Sequence, residues 1–292
     1  MRRARPLLGT FVDVSVDGGA ADDMTAAVEA AFAAVGKVHR LMSFHDPASD
    51  VGRLNRDAAA VAIAVDPWTH EVITAAVDLN RRSNGLFDIT VAPALQRLGL
   101  LPGSPPADAP SPIAGDAIEV LGDHRIRFRR AGTRIDLGGI AKGFAIDRAV
   151  AVLRAHGVPH GVVDAGGDLA AFGAVAAPIH IRDPRNPCRS IARIAIANEA
   201  LASSGGRLDP FASSNAAAPA VIDARTGTPA CGIVGATVRA PSCMVADALT
   251  KVVMNAGEDA SALLDDLRAS ALLVRSDGDI RVSPSWRDSR AA

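Results

Sequence analysis

The run Arg134-Ile135-Asp136-Leu137-Gly138-Gly139-Ile140-Ala141-Lys142-Gly143-Phe144-Ala145-Ile146-Asp147 has residue types suited to holding a phosphorylated ligand. A short apolar stretch delivers Asp136, two glycines follow, and a helix is expected to begin. Paired glycines let backbone approach a ligand closely. A helix N-terminus adds free N–H groups and the positive end of a dipole. Lys142 falls in the expected first turn, where a cation is ordinarily unfavourable. A bound pyrophosphate removes that penalty. A plain strand-to-helix turn is the competing reading of the same spacing. The pattern is neither GxGxxG nor a Walker A loop, so the physics of those motifs does not transfer.

A second candidate is Asp247, in Pro241-Ser242-Cys243-Met244-Val245-Ala246-Asp247-Ala248-Leu249-Thr250-Lys251. Asp247 and Lys251 are four apart and share a helix face. Either they form a surface ion pair worth little, or Asp247 binds a divalent ion or pairs with Lys251 beside a phosphate. Asp164-Ala165-Gly166-Gly167-Asp168 reads as a tight turn after an apolar strand, holding a substrate or simply bending a hairpin. Asn84–Pro93 reads as a helix exit and loop whose backbone could meet a base or a flavin ring. The seven histidines show no HExxH or HxH spacing, which argues against a zinc enzyme. No GxSxG elbow supports a serine hydrolase.

The elements that must position these residues mix strands and helices without strict alternation. Leu7–Val16 reads as a strand. Asp22 caps a helix with Val28, Phe32, Val35 and Leu41 on one face. A helix near His70–Arg82 ends at Asn84-Gly85, a left-handed cap signal. Leu101–Pro112 reads as an exposed loop. Ala117–Leu121 and Arg125–Phe128 flank Gly122-Asp123-His124 as a hairpin. Arg134–Leu137 reads as a strand, Gly139–His156 as a helix and Val158–Val163 as a strand. Strands are expected at Pro178–Arg182, Ser190–Ala197, Ala220–Ile222 and Ile233–Arg239. Helices are expected at Ser242–Asn255 and Glu258–Ala269, then a hairpin of Leu272–Arg275 and Asp279–Val282. The expected fold is α+β, with mixed sheets and flanking helices in a single compact unit spanning residues 1–292.

Composition sets the outer bounds. The 292 residues carry a net charge of −1, with 49% hydrophobic and 22% charged residues, an ordinary globular balance. Aromatics make up 3% and Tyr is absent, which argues against a single-stranded nucleic-acid binder that stacks bases. Cys188, Cys231 and Cys243 form no CxxC pair, and an odd count without metal spacing reads as reduced thiols in a cytoplasm. Met1-Arg2-Arg3-Ala4-Arg5 resembles a signal n-region, but Asp13 and Asp17 interrupt any apolar stretch after it. No run approaches the roughly 20 apolar residues of a membrane-spanning helix. A cytoplasmic protein without a membrane span is expected.

Taken in order, these segments resemble the ApbE family. Leu8-Gly9-Thr10 is similar to its early M-G-T. Ser43–Asn55, SFHDPASDVGRLN, is similar to its S-x-Y-x-x-x-S-x-x-S-R-x-N region. GLFDITVAP from Gly85 resembles G-x-F-D-x-T-V-x-P, and DLGGIAKG from Asp136 its central motif. Asp164–Asp168 resembles D-A-G-G-D and Leu201–Gly205 its T-S-G segment. Ile222–Pro229 resembles I-D-P-x-T-G-x-P and Ala246–Lys251 resembles A-D-A-x-[ST]-T. The resemblance runs from about Leu7 to beyond Gly257. It implies an α+β fold and FAD as substrate. It further implies Mg²⁺-assisted cleavage of the FAD pyrophosphate and transfer of FMN to a threonine hydroxyl of an acceptor protein, with AMP released. Some members instead hydrolyse FAD. By position, Leu8, His45, Leu86, Phe87, Asp88, Asp136, Lys142 and Ile222 correspond to FAD contacts. Gly139, through its carbonyl, and Asp247 correspond to the Mg²⁺ site. Asp247 and Lys251 are the residues expected to carry the chemistry.

Three positions depart from the family pattern. Lys251 replaces the threonine that completes the metal site, and a protonated ammonium cannot ligate Mg²⁺. It can instead neutralise Asp247 and take the cation's place near the phosphates. Ala220 replaces a histidine that the family places as general base, a loss that usually costs about 10²–10⁴ in rate. His45 replaces a tyrosine that stacks on flavin. The many intact motifs of the resemblance favour an FAD:protein FMN transferase; an FAD-binding relative without transfer and an FAD pyrophosphatase are the alternatives.

Overall fold

A computed structural model describes residues 1–109, 115–205 and 221–288. The expected fold class holds: the chain combines sheets with helices in an α+β arrangement. By residue contacts the chain groups into two compact units. One comprises Met1–Gly36, Lys142–Val221 and Pro229–Ala292, the other Lys37–Ala141 and Ile222–Thr228. Neither boundary falls in Leu101–Pro112, of which residues 110–112 lie outside the described residues.

The first unit is built on an eight-stranded sheet. Its strands are Arg2–Leu7, Thr10–Asp17, His160–Ala165, Asp168–Phe172, Glu199–Gly205, Ile233–Ala240, Ser270–Arg275 and Ile280–Val282. They lie side by side in chain order, each antiparallel to the next. Thr10–Asp17 shows why the segment is a strand: Val12, Val14 and Val16 are buried while the residues between them are less so. That period of two puts one face on a core. The expected Leu7–Val16 strand is really two, joined by Leu8 and Gly9 with φ of 56° and 71°. Two consecutive positive φ values are what a tight two-residue hairpin turn demands.

Asp168–Phe172 is buried throughout and has no visible alternation. On one side, Leu169 and Ala171 join a core with Leu201, Leu272 and Trp286. The hairpin Ala177–Asp183/Asn186–Ile196 supplies Ile181 and Ile196 to that core. Helix Cys243–Ala256 packs on strands Glu199–Gly205 and Ile233–Ala240. The helix expected over Glu258–Ala269 is shorter, with a 3-10 turn at Gly257–Ala260 and a helix at Ser261–Asp266. Among the described residues, no helix is long and apolar enough to cross a membrane.

The second unit carries a three-stranded sheet in the order Ile63–Ala64, Arg125–Phe128, Ile118–Leu121. Asp123 and His124 take positive φ in the expected hairpin turn. Helix Pro67–Arg82 starts with Pro67 behind the Asp66 cap and ends where Gly85 N–H reaches the Asn80 carbonyl at 2.9 Å. Arg134–Leu137 is not a strand. The Ile135 N–H donates to Asn55 Oδ1 at 2.7 Å, and Asn55 Nδ2 donates to the Ile135 carbonyl at 2.9 Å. Asp136 N–H donates to the Ile89 carbonyl at 2.8 Å. A side-chain amide thus replaces a neighbouring strand in satisfying this backbone. Asn55→Ala is expected to destabilise the protein by about 1–3 kcal/mol, the cost of leaving such groups unpaired. Urea unfolding measures it, and an unchanged midpoint would contradict this role for Asn55.

Candidate functional site

Two helices and two strands of the first unit assemble a compact set of charges. Lys142 lies in the first turn of helix Ala141–Ala155. Asp168 opens its strand, directly after Gly166 and Gly167, whose φ values of 69° and 100° make the tight turn. Asp247 and Lys251 stand one turn apart on helix Cys243–Ala256. Lys142 Nζ donates to Asp168 Oδ2, and Lys251 Nζ donates to Asp247 Oδ1. Lys251 Nζ also donates to the Asp247 carbonyl at 3.0 Å. Both carboxylates take a backbone N–H as well: Ser203 to Asp168 at 3.0 Å and Gly143 to Asp247 at 3.1 Å.

Burial decides what kind of pairs these are. The side chains of Asp168 and Asp247 are 3% and 0% exposed, whereas those of Lys142 and Lys251 are 33% and 19% exposed. The anions are therefore sunk in the protein and the ammoniums form the outer layer. Asp247–Lys251 is not the surface pair that its i,i+4 spacing allows. Two positive and two negative groups balance, which makes this burial tolerable.

The charges shift one another's proton affinity. Burial pushes the Lys142 ammonium towards losing its proton, but Asp247 and Asp168 outweigh burial and hold it above the ordinary lysine value. Burial also pushes Asp247 up, yet Lys142, Lys251 and the Gly143 N–H bring it below the ordinary carboxylate value. Asp168 is raised by burial and by neighbouring Asp247, against the pull of both lysines. The buried Cys243 thiol is pushed up by burial and by three aspartates, so it is no ready nucleophile.

Asp147, at the end of the glycine-rich run, has a structural task. Its carboxylate accepts the Cys243 and Met244 N–H groups at 2.8 and 2.9 Å, and Ser242 Oγ accepts Val245 N–H at 3.3 Å. The start of helix Cys243–Ala256 is thereby filled from within the protein. Burial pushes the Asp147 carboxyl up to about 6, against the two N–H groups and Arg148. A carboxyl raised on folding favours the folded state at low pH and loses that benefit as pH rises through about 6. Stability of the wild type relative to Asp147→Asn is thus expected to fall as pH climbs from about 4 to about 7. Urea unfolding of both proteins across that range tests it. A difference that does not change with pH sinks the claim.

The other sequence-derived residues divide between the units. Leu8 occupies the first-unit hairpin turn. In the second unit, His45 is exposed and its ring meets Phe44 edge-on. Phe87 is buried, with its carbonyl accepting from Asn80 Nδ2 at 2.8 Å. Leu86 beside it is half-buried. Asp88 caps the 3-10 turn Ile89–Val91, accepting Thr90 N–H at 2.7 Å and Thr90 Oγ1 at 2.8 Å. Burial raises its carboxyl. Asp136 Oδ2 accepts the Gly138 N–H at 3.1 Å. Gly139 lies in the turn before helix Ala141–Ala155, and Ile222 opens strand Ile222–Asp223. Ala220 lies outside the described residues. Nothing in the local spacing marks Asp168 as the ion-pair partner of Lys142, 26 residues away. Its signal was an acidic residue directly after a two-glycine turn.

A divalent ion does not fit Asp247 as the structure presents it. Mg²⁺ requires close oxygen ligands in near-octahedral order. Both carboxylate oxygens of Asp247 are already engaged, one by an ammonium that also holds the same residue's carbonyl. Among the described residues, no three His, Cys, Asp or Glu side chains are grouped to hold a metal.

Known proteins share this architecture. The pattern of the ApbE family matches residues 8–274. The chain is 28% identical over 248 residues to the FAD:protein FMN transferase of Vibrio cholerae, covering 76% of this chain and 71% of that protein. It is 26% identical to the FAD:protein FMN transferase of Treponema pallidum, covering 96% of this chain and 86% of that one. The crystal structure of the ApbE protein from Thermotoga maritima superposes with a TM-score of 0.86 at 26% identity, covering 100% and 99% of the two chains. With the family pattern running through nearly the whole chain and the same fold in the Thermotoga protein, this chain belongs to the ApbE family.

Proposed function

We propose that the protein is an FAD:protein FMN transferase. The observation that carries this reading is the pair of ammoniums, Lys142 and Lys251, layered over two buried carboxylates. Such an arrangement suits a diphosphate, whose transfer chemistry is mostly positioning and charge neutralisation. The named relatives support the same activity.

In the proposed reaction, a threonine hydroxyl of the acceptor protein attacks the phosphorus on the FMN side of FAD. A P–O bond to threonine forms, the P–O bond to the AMP phosphate breaks, AMP leaves with the bond's electron pair, and the hydroxyl proton passes to solvent. Lys142 and Lys251 meet the negative charge that grows on the departing AMP. Asp168 and Asp247 hold the two ammoniums in place. Leu8, His45, Leu86, Phe87, Asp88, Asp136, Lys142 and Ile222 are the proposed FAD contacts. A cytoplasmic setting belongs to the same reading, supported by three free thiols.

The test is incubation of the purified chain with FAD and a threonine-bearing acceptor, following AMP and flavin fluorescence on the acceptor. AMP together with labelled acceptor is the expected result. AMP without label means a pyrophosphatase, and bound FAD without AMP means a carrier. No thermal stabilisation by FAD at all would remove the flavin reading altogether.

A further inference from the structure

We propose that the Lys251 ammonium is the resident cation of Asp247, so that this protein engages the FAD diphosphate without a divalent metal there. The inference rests on the flavin reading above for its ligand, but its core is the geometry of one helical turn. Lys251 Nζ bridges Oδ1 and the carbonyl of Asp247, so it occupies the position from which a cation would contact both oxygens. The other carboxylate oxygen is held by Gly143 N–H. The arrangement is supported on its far sides. Thr250 Oγ1 donates to the same Asp247 carbonyl at 2.7 Å and pairs with Ser204 Oγ at 2.7 Å. Asn255 Nδ2 donates to the Lys251 carbonyl at 2.9 Å. Thr250 is fully buried and Lys251 is not. The hydroxyl therefore serves the helix, and the ammonium serves the side open to a ligand.

The donor count agrees. An ammonium has three donors. Lys251 gives two to Asp247, and the third is available to a phosphate oxygen. Lys142 supplies a second ammonium, anchored on Asp168. The four groups sum to zero charge, so the two ammoniums serve a diphosphate as directed hydrogen-bond donors rather than as net positive charge. A divalent ion at Asp247 would have to displace Lys251 from two hydrogen bonds, leaving it beside a like charge.

The experiment uses the full chain stripped with EDTA. Mn²⁺ is titrated without FAD, and free Mn²⁺ is read by electron paramagnetic resonance. The wild type is expected to show no stoichiometric site, and Lys251→Thr is expected to gain one. FAD affinity, read by flavin fluorescence, is expected to agree within about twofold in EDTA and in Mg²⁺, a difference small beside the tenfold of 1.4 kcal/mol. One Mn²⁺ bound per wild-type chain and lost in Asp247→Asn overturns the inference. So does a tenfold or greater loss of FAD affinity in EDTA, or a folded Lys251→Thr that takes no Mn²⁺. If Lys251→Thr does not fold, the wild-type measurements decide alone. Absence of FAD binding under every condition refutes the flavin reading, while the Mn²⁺ titration still decides the metal question.

Discussion

Lys142→Met is expected to cost about 3–5 kcal/mol of stability at neutral pH, because it strands a buried carboxylate. Asp168 is 2% exposed, and Lys142 is its direct ion-pair partner. The Ser203 N–H remains, but one N–H does not neutralise a charge. Asp247 loses at the same time one of the two ammoniums that keep it ionised. Methionine nearly preserves the length of the side chain, so lost packing is a small part of the effect. The deficit should shrink as pH falls, since protonating Asp168 removes the stranded charge. Lys142→Met with Asp168→Asn should regain much of the loss, because the removed pair leaves no lone ion behind. AMP release from FAD should fall by about 10²-fold or more, as when a preorganised donor to developing charge is removed. Urea unfolding from about pH 5 to about pH 8, with an AMP assay, reads all of this. A single variant within about 1 kcal/mol of wild type would falsify the buried-pair account.

Gly143→Ala is the second large effect. A Cβ at residue 143 would lie 2.2 Å from the Cys243 carbonyl oxygen and 2.5 Å from its carbon. Both are backbone atoms, so no side chain can swing aside. The start of helix Cys243–Ala256 is also pinned by Asp147 through the Cys243 and Met244 N–H groups. One methyl group must therefore separate two helices that carry Lys142, Asp247 and Lys251. A loss of about 3 kcal/mol is expected, the upper part of the usual overpacking range. The Gly143 N–H bond to Asp247 goes with it, so AMP release should fall even where the variant remains folded. Gly122→Ala is the control: its Cβ would meet nothing within 4 Å, and its stability should stay within about 0.5 kcal/mol of wild type. Equal melting of Gly143→Ala and wild type would show that the two helices are not in such close approach.

The metal question is one of the points at which this chain departs from the pattern. The glycine-rich run and the Asp247 helix turn both belong to the family pattern, and Lys142 and Asp247 lie in one structural unit. At the Asp247 helix turn, what differs is the residue one turn beyond it. An ammonium covalently tied to the helix needs no supply from solution and cannot be removed by a chelator. It carries one charge where a divalent ion carries two. A site of this kind trades electrostatic strength for independence from metal, and Lys142 makes up part of the difference.

Much was legible in the residues alone. Val12, Val14 and Val16 alternate, so their strand could be read directly. Asn84-Gly85 marked a helix end through local backbone rules, and Asp247 and Lys251 were visible as neighbours because four residues make one helical turn. Other features have no local signal. Arg2–Leu7 is exposed and arginine-rich, and becomes a strand because Thr10–Asp17 pairs with it. Asp168–Phe172 is covered along its whole length, so the alternation that betrays a strand is missing. Arg134–Leu137 has the composition of a strand, yet an amide 80 residues away takes its backbone bonds.

The sequence by itself therefore determined the α+β class, the motifs, the family resemblance and the i,i+4 pair. The tertiary structure alone decided that Asp247 is fully buried and that Asp168 and Lys142 complete the charge balance around it. It also decided that Asp147 caps a helix. The physical reason is range. Spacing along a chain fixes which side chains share a turn or a face. The desolvation that turns an ion pair from marginal to costly depends on what the distant strands and helices bring over it.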